Sequence, residues 1–457
     1  MPLLLLNHPD TIREVVVSRA PKSIFYKFIE PWLGLGLLTN NHDVHSFHRE
    51  VLRQGFTPQQ LKGYIPTFEK NALELIDHFK TMLDVQGQVG MNIEPYLHGY
   101  TLDSVCKLAF GYDVSSVTNP NNEYVKTIHD LCELFWKRCF APWFFPDRLY
   151  QASANGKRYH EAAAYMHSLA DDIIATRAKL RNTATSANVN FVDATTVAQE
   201  KSQPLNVTQC PVMGASGVNA DLLDIMLGCS SRSGQKLSPA EIRDEVNTFV
   251  QAGHDTTALT LAYAIYLMAE HPEWQEKARE EIHVSGVFGA TWMGMDEADK
   301  LASLSHDLSV VERCLKETLR LYPPVPILSR VIDGGSKGGV EVDGHFIPND
   351  TPVAVCPYVI HRMEEFWPNA ETFDPDRFLP SVKHNIYSYI PFSVGSRGCL
   401  GQKFAMLEMK VFIAALLREF DVVREAGSPP VSLLPEMVMR PMNGIHISLR
   451  RRKAVAM

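Results

Sequence analysis

Apolar positions recur every three to four residues through much of the first two thirds of the chain, for example across 98–110 and 158–180, and this spacing predicts amphipathic helices. The pattern is clearest from "LSPAEIRDEVNTF" onward. Ser238 suits a helix N-cap, Pro239 the first helical position, and Glu241 completes a capping box. Helical spacing continues to Glu270, where His271-Pro272 stops it, so a single helix crosses a whole domain. A second strong helix covers roughly 306–321. A third follows Cys399, with Phe404, Leu407, Val411 and Ala414 along one face. Strand signals are short and mostly late: "VEVDGHFIP" carries an Asp343-Gly344 hairpin turn, and "TPVAVCPYVI" after it is strand-like. The opening "MPLLLLNHPD", continued by "TIREVVVS", reads as a strand entering an amphipathic helix. The expected architecture is mainly α with small β-sheets (α+β), in a single domain over 1–457.

Residues 181–219 interrupt the periodicity. They are rich in Ser, Thr, Asn, Ala and Val, and read as a long surface insertion, with a poorly patterned subdomain as the alternative. No stretch approaches the ~20 apolar residues of a membrane-spanning helix, and the first residues lack signal-peptide architecture. The composition, 45% apolar and 21% charged, is that of a globular protein. A net charge of −8 supplies no basic field, which excludes nucleic acid as a partner. The eight cysteines form no CxxC pair, so most are expected to be reduced, in a cytosol-facing rather than a secreted setting. Asn206-Val207-Thr208 matches a glycosylation sequon, which matters only in a lumenal location.

Three stretches carry candidate chemistry. The long helix contains "AGHDTT" (252–257), where Gly253 costs about 1 kcal/mol relative to alanine. The Thr256 hydroxyl is placed to bond back to the carbonyl of Ala252, and Asp255 and Thr256 together are placed to relay protons. An ordinary helix with one wet face is the competing reading. The second helix carries Glu317 and Arg320, side by side at a spacing of three, which alone suggests a surface ion pair. If buried, the pair needs a third partner for the guanidinium donors. The last stretch, "PFSVGSRGCLGQKFA" (391–405), surrounds Cys399 with Gly395, Gly398 and Gly401 just before a helix. A thiolate there is favoured by free amides and the helix dipole, and Arg397 is set near an anionic group on the same partner. A thiolate with amides, a cation and a flat partner suggests haem iron; an inert buried cysteine is the bland alternative.

With these stretches in this order, the chain resembles the cytochrome P450 superfamily of haem-thiolate monooxygenases. "FSVGSRGCLG" matches the haem-binding signature at every fixed position. The resemblance implies that Cys399 is the proximal iron ligand, with Phe392 and Gly401 beside the sulfur. It implies that Glu317 and Arg320 are a buried structural pair with Arg377 of "FDPDRF" as third partner. Asp255 and Thr256 become the acid–alcohol pair that delivers protons, and Arg330 and Arg397 become haem propionate contacts. In "HDVHSFHREVLRQGF" the position of the usual propionate-binding tryptophan falls at His45 and the basic residue at Arg49. His42, His45 and His48 also suggest a metal site at helical spacing, without acidic or cysteine partners in the sequence nearby.

Within the superfamily, "PWLGLGLL", "FVQAGHDTT", "PYVIHR" and "RPMNGI" are most similar to the clan that includes fatty-acid ω-hydroxylases. Many members of that clan esterify the haem through a glutamate; here the position is Ala252, so haem b is expected to bind non-covalently. The resemblance further implies that electrons come from NADPH through a cytochrome P450 reductase or similar flavoprotein. It also implies that dioxygen and a hydrophobic molecule, such as a long-chain fatty acid, are the substrates, with the cytosolic face of the endoplasmic reticulum as the setting. A membrane anchor and first strands are expected to precede "MPLLLL". The aromatic stretch "FWKRCFAPWFFPDRLY" (135–150) roofs a hydrophobic pocket, touches a membrane surface or simply packs. A peroxide-using relative and a non-catalytic haem binder are the rival functions.

Overall fold

The Ser238 hydroxyl accepts a hydrogen bond from the Glu241 amide at 3.3 Å, and the Glu241 carboxylate accepts one from the Ser238 amide at 2.7 Å. That reciprocal cap starts the helix the sequence predicts, Pro239–Glu270, and His271-Pro272 ends it. The computed structural model describes residues 3–16, 20–86, 89–119, 122–186, 221–231, 234–425 and 427–452. Its longer helices are α1 His42–Leu52, α2 Pro58–Gln86, α3 Glu94–Phe110, α4 Glu123–Cys139 and α5 Ala154–Ser186. They continue with α6 Pro239–Glu270, α7 Pro272–Ser285, α8 Glu297–His306, α9 Ser309–Leu321 and α10 Gln402–Glu419. The architecture is therefore mainly α with small sheets, as expected from periodicity.

The strands are short. β1 (Leu4–Leu6), β3 (Leu328–Val331) and β6 (Pro352–Val355) form one sheet, in which β6 is central, parallel to β1 and antiparallel to β3. A second sheet has the order β2 (Val89–Asn92), β10 (His446–Arg451), β7 (Phe420–Arg424), all antiparallel. β4 (Gly339–Val342) and β5 (His345–Pro348) make the hairpin announced by Asp343-Gly344, whose φ angles of +49° and +71° suit a type I′ turn. β8 (Leu433–Pro435) pairs with β9 (Met439–Pro441). The strand-like run "TPVAVCPYVI" is strand only through Val355; Pro357 then opens a short helix, Pro357–Ile360, because its ring fits the first helical turn.

α6 runs through the interior. Its second half, Ala258 to Met268, is buried among side chains of α2, α3, α9 and α10. Its first half joins a second cluster with α1, α3, α4 and α5. Gly253 lies against α3: a Cβ there would sit 2.8 Å from Cγ2 of Val105. The helix is continuous across 252–257, so this glycine serves helix–helix contact.

α5 extends to Ser186, into the stretch the sequence marks as an insertion; the remainder of that stretch, with the sequon and Cys210, lies outside the described residues. Six cysteines are free thiols, so most are reduced as expected, and Cys229 is disulfide-bonded. Among the described residues, no helix is long and apolar enough to cross a membrane.

Candidate functional site

The loop before α10 aims one sulfur at the start of a helix. Ser393 and Gly395 take φ values of +56° and +73°, and Gly395–Arg397 forms a single 3-10 turn. The Cys399 amide then donates to the Phe392 carbonyl at 2.8 Å, closing the loop. The thiol of Cys399 stays accessible. Its enclosed surroundings push its pKa up, while the Gly401 and Gln402 amides and the Arg49 guanidinium pull it down by favouring the thiolate. A Cβ at Gly401 would approach this sulfur and the Phe56 ring at 4.0 Å.

Cations gather around the loop without acids to match. Arg49 donates to the carbonyl of Gly398 at 2.7 Å, Arg397 to that of Asn40 at 3.0 Å, and Arg330 to that of Ser329 at 2.8 Å. Lys22 bridges to Arg330 through the backbone, and its ammonium lies 4.2 Å from the Tyr26 ring centroid. Among the described residues none of these four forms an ion pair, and Nε and Nη2 of Arg397 are buried without a partner. Burial and mutual repulsion hold Lys22 well below the usual lysine range and lower Arg397 to about 10. His45, buried beside them, is kept neutral, its pKa lowered to about 3 by burial and by the neighbouring cations. Orphaned guanidinium donors beside an accessible thiol are what a planar group with an iron and two carboxylates requires, so these residues fit a haem.

Glu317 and Arg320 on α9 are fully buried and joined by two hydrogen bonds of 2.7 and 2.8 Å. Arg377 approaches Glu317 at 3.4 Å and donates to the Asn369 carbonyl, and the Asp374 amide also donates to Glu317. The predicted trio is thus assembled in the fold. The remaining Arg320 donors reach the carbonyls of His361 and Thr372. The His361 ring in turn accepts the Ile390 amide at 2.8 Å, at the start of the Cys399 loop.

On α6, the Thr256 hydroxyl donates to the carbonyl of Ala252 at 2.9 Å, as predicted; Ala252 is exposed, and Gly253 and Thr256 are half-buried. Asp255 points elsewhere. It is fully buried and accepts from Arg440 at 2.8 and 3.1 Å and from Gln251 at 3.2 Å. Burial would raise its pKa, but Arg440 and the surrounding histidines hold it below the usual carboxylate range. The proposed histidine metal site on α1 takes another form: His48 is bound by Glu245 at 2.5 Å and Glu241 at 3.2 Å, which ties α1 to α6.

The residues unread in the sequence are Lys22, His361 and Arg440. Lys22 carries no motif. His361 and Arg440 lie in "PYVIHR" and "RPMNGI", which register as family-like strings without revealing what they bind.

A family model described as Cytochrome P450 matches residues 1–449. Cytochrome P450 4V2 of Rattus norvegicus is 30% identical over 456 residues, 99% of this chain and 81% of the relative. Cytochrome P450 4F8 of Homo sapiens is 35% identical over 451 residues, 97% and 80% respectively. A protein of Sus scrofa named taurochenodeoxycholic 6 alpha-hydroxylase is 31% identical over 461 residues, 98% and 82%.

Proposed function

This chain belongs to the cytochrome P450 family and is a haem-thiolate monooxygenase, and from that premise we propose that Cys399 ligates the iron and that Asp255 and Thr256 serve proton delivery. When bound, the haem supplies dioxygen activation and insertion of one oxygen atom into a C–H bond of a hydrophobic substrate. The observation that carries the assignment is the accessible Cys399 thiol at the start of α10, beside cations that lack acidic partners.

Each residue then has a task that follows from its surroundings. The amides of Gly401 and Gln402 favour the thiolate against the larger effect of burial, which raises the thiol's pKa, and Phe392 fixes the loop through its carbonyl. Arg49, Arg330, Arg397 and Lys22 receive the two carboxylates, with neutral His45 as a ring donor nearby. Ala252 presents a methyl group and no carboxylate, which supports haem b held without an ester bond. The Thr256 hydroxyl keeps its proton on the Ala252 carbonyl and is free to turn toward a ligand. Glu317, Arg320 and Arg377 maintain the scaffold.

The substrate reading is a long-chain fatty acid, supported by the resemblance of "FVQAGHDTT", "PYVIHR" and "RPMNGI" to the clan that includes fatty-acid ω-hydroxylases. NADPH provides the electrons through a flavoprotein reductase docked on the Cys399 side. The exposed side chains of Phe140, Trp143 and Leu149 between α4 and α5 support contact with a membrane surface. The test is the carbon monoxide difference spectrum of the reduced protein beside Cys399→Ala, followed by turnover of a fatty acid with reductase and NADPH. A far red-shifted band that the substitution abolishes is expected; haem bound with the same band in both proteins would overturn the ligand. Turnover of taurochenodeoxycholate in preference to every fatty acid would overturn the substrate class.

A further inference from the structure

The buried groups around Asp255 have no task in the reading above. Asp255 and His254 on α6 face His98 and Glu94 on α3, His129 and Cys132 on α4, and Glu436 and Arg440 at the β8–β9 turn. His98 is fully buried, and neither of its ring nitrogens has a hydrogen-bond partner. Its Nδ1 lies 3.7 Å from Oδ1 of Asp255, and its Nε2 lies 3.5 Å from Oε1 of Glu94. One imidazole therefore stands between two carboxyl groups with one nitrogen toward each.

A metal ion is the first alternative, because ligand atoms of His98, His129 and Asp255 lie within 4.8 Å of one another. Arg440 removes it: its guanidinium already donates to both oxygens of Asp255 and to Nε2 of His129, so the positive charge of this site is in place. Arg440 also closes the path from half-buried His129, since a guanidinium does not give up its proton. His254 keeps its Nδ1 on the Val250 carbonyl at 2.8 Å, whereas His98 stands between Asp255 and Glu94, and Glu94, whose side chain is 11% exposed, is its link toward solvent.

We propose that His98 relays protons from Glu94 to Asp255 during turnover, an inference that rests on the reading of Asp255 and Thr256 as the proton-delivering pair. The Glu94 carboxyl gives its proton to Nε2, and the proton on Nδ1 passes to the Asp255 carboxylate. Asp255 is left neutral and His98 in its other tautomer, which a ring rotation resets. Glu94 takes its next proton from water. Glu436, 3.4 Å from Nε of Arg440, keeps that guanidinium paired while Asp255 is neutral. Both gaps exceed hydrogen-bond length, so the ring closes one contact at a time. Burial raises Glu94 above its ordinary range and lowers His98 to about 4, which favours a proton on the outer carboxyl and a neutral ring between transfers.

The test compares His98→Gln, Glu94→Gln and Asp255→Asn in the haem-loaded enzyme with reductase and dioxygen, and separately with added hydrogen peroxide, which brings its own protons and electrons. His98→Gln and Glu94→Gln are expected to lower product per reductant consumed about tenfold and to raise the solvent deuterium isotope effect. Their peroxide-driven turnover is expected to fall less than twofold. Glu94→Gln, at the rim, serves if His98→Gln folds poorly. Impairment of Asp255→Asn without impairment of the other two overturns the relay alone. Normal turnover in both Asp255→Asn and Thr256→Val overturns the pair on which it rests. In the haem-free protein, ¹⁵N shifts of the His98 ring are expected to move with both Glu94→Gln and Asp255→Asn; shifts insensitive to either would also overturn the relay.

Discussion

Arg320 donates to the carbonyl of His361 at 2.8 Å, and the ring of that same histidine accepts the Ile390 amide at 2.8 Å. The buried pair on α9 is thereby connected to the segment that enters the Cys399 loop. Position of the sulfur depends on an ion pair that never touches it.

Glu317→Ala is therefore expected to cost about 3–5 kcal/mol, because it leaves the Arg320 guanidinium buried and uncompensated. Chemical denaturation of the haem-free protein measures the loss, and a haem-loading assay should show poor retention. Arg377→Lys, which keeps the positive charge at the third partner, is expected to cost less than Glu317→Ala. Equal losses for the two would mean that the trio acts only as a unit.

Acid sensitivity follows from histidines kept neutral. His45, His129 and His361 have pKa values lowered to about 3, and His98 and His254 to about 4, burial being the first cause in each. A base whose folded pKa is depressed leaves the unfolded chain binding more protons, so stability falls as pH drops from about 6.5 toward 4. Each such histidine contributes up to about 1.4 kcal/mol per pH unit in that window. His48 opposes them: its pKa is raised by Glu245 and Glu241 against the cost of burial, so its contribution is present below about 6.5 and is lost as pH rises. Denaturation free energies between pH 4.5 and 7 should show a net rise with pH, with a shallower slope in His361→Asn. A flat profile would mean that these rings titrate in the fold as they do in the unfolded chain.

What the sequence made legible was local. The cap at Ser238, the turn at Asp343-Gly344 and the glycines around Cys399 each act within a few residues, so their geometry is written in adjacent letters. The pairing of Glu317 with Arg320 was visible by spacing, and its burial only by likeness to the family. What spacing does not carry is contact across the chain: Lys22 beside Arg330, His361 beneath Ile390, or Arg440 on Asp255. Asp255 shows the limit well. Its place in "AGHDTT" marks it for proton traffic, yet its buried carboxylate is held by Arg440 and Gln251, a set of partners that the spacing does not show.

Thr256→Val removes the hydroxyl and keeps the shape, so the helix should stay intact and the change in stability should be under about 1 kcal/mol. Thr256→Ser keeps the hydroxyl. If this group guides protons, the valine variant should form about tenfold less product per reductant and release more hydrogen peroxide, while the serine variant stays near wild type. Product and peroxide yields measured together decide it; equal coupling in all three proteins would remove Thr256 from proton delivery.

The cations around the loop give a prediction of opposite signs in two states. Without an anionic partner, Lys22, Arg330 and Arg397 are buried close together and repel one another; burial first and that repulsion second lower the pKa values of Lys22 and Arg397. Removing one charge, as in Lys22→Met or Arg397→Gln, should leave the haem-free protein as stable as wild type or more so. A bound dianion reverses the balance, since each guanidinium or ammonium then gains a charge-assisted hydrogen bond. Loss of one such bond should speed haem transfer to an acceptor protein about tenfold, the equivalent of about 1.4 kcal/mol. The repulsion carries its own pH signature. A lysine with a depressed pKa disfavours folding while it is protonated, so the haem-free protein should gain stability as pH rises through that pKa, and Lys22→Met should abolish the gain. Denaturation of the haem-free protein and haem-transfer kinetics test the two halves separately. Parallel destabilisation in both states would show that these residues hold the fold and do not receive the carboxylates.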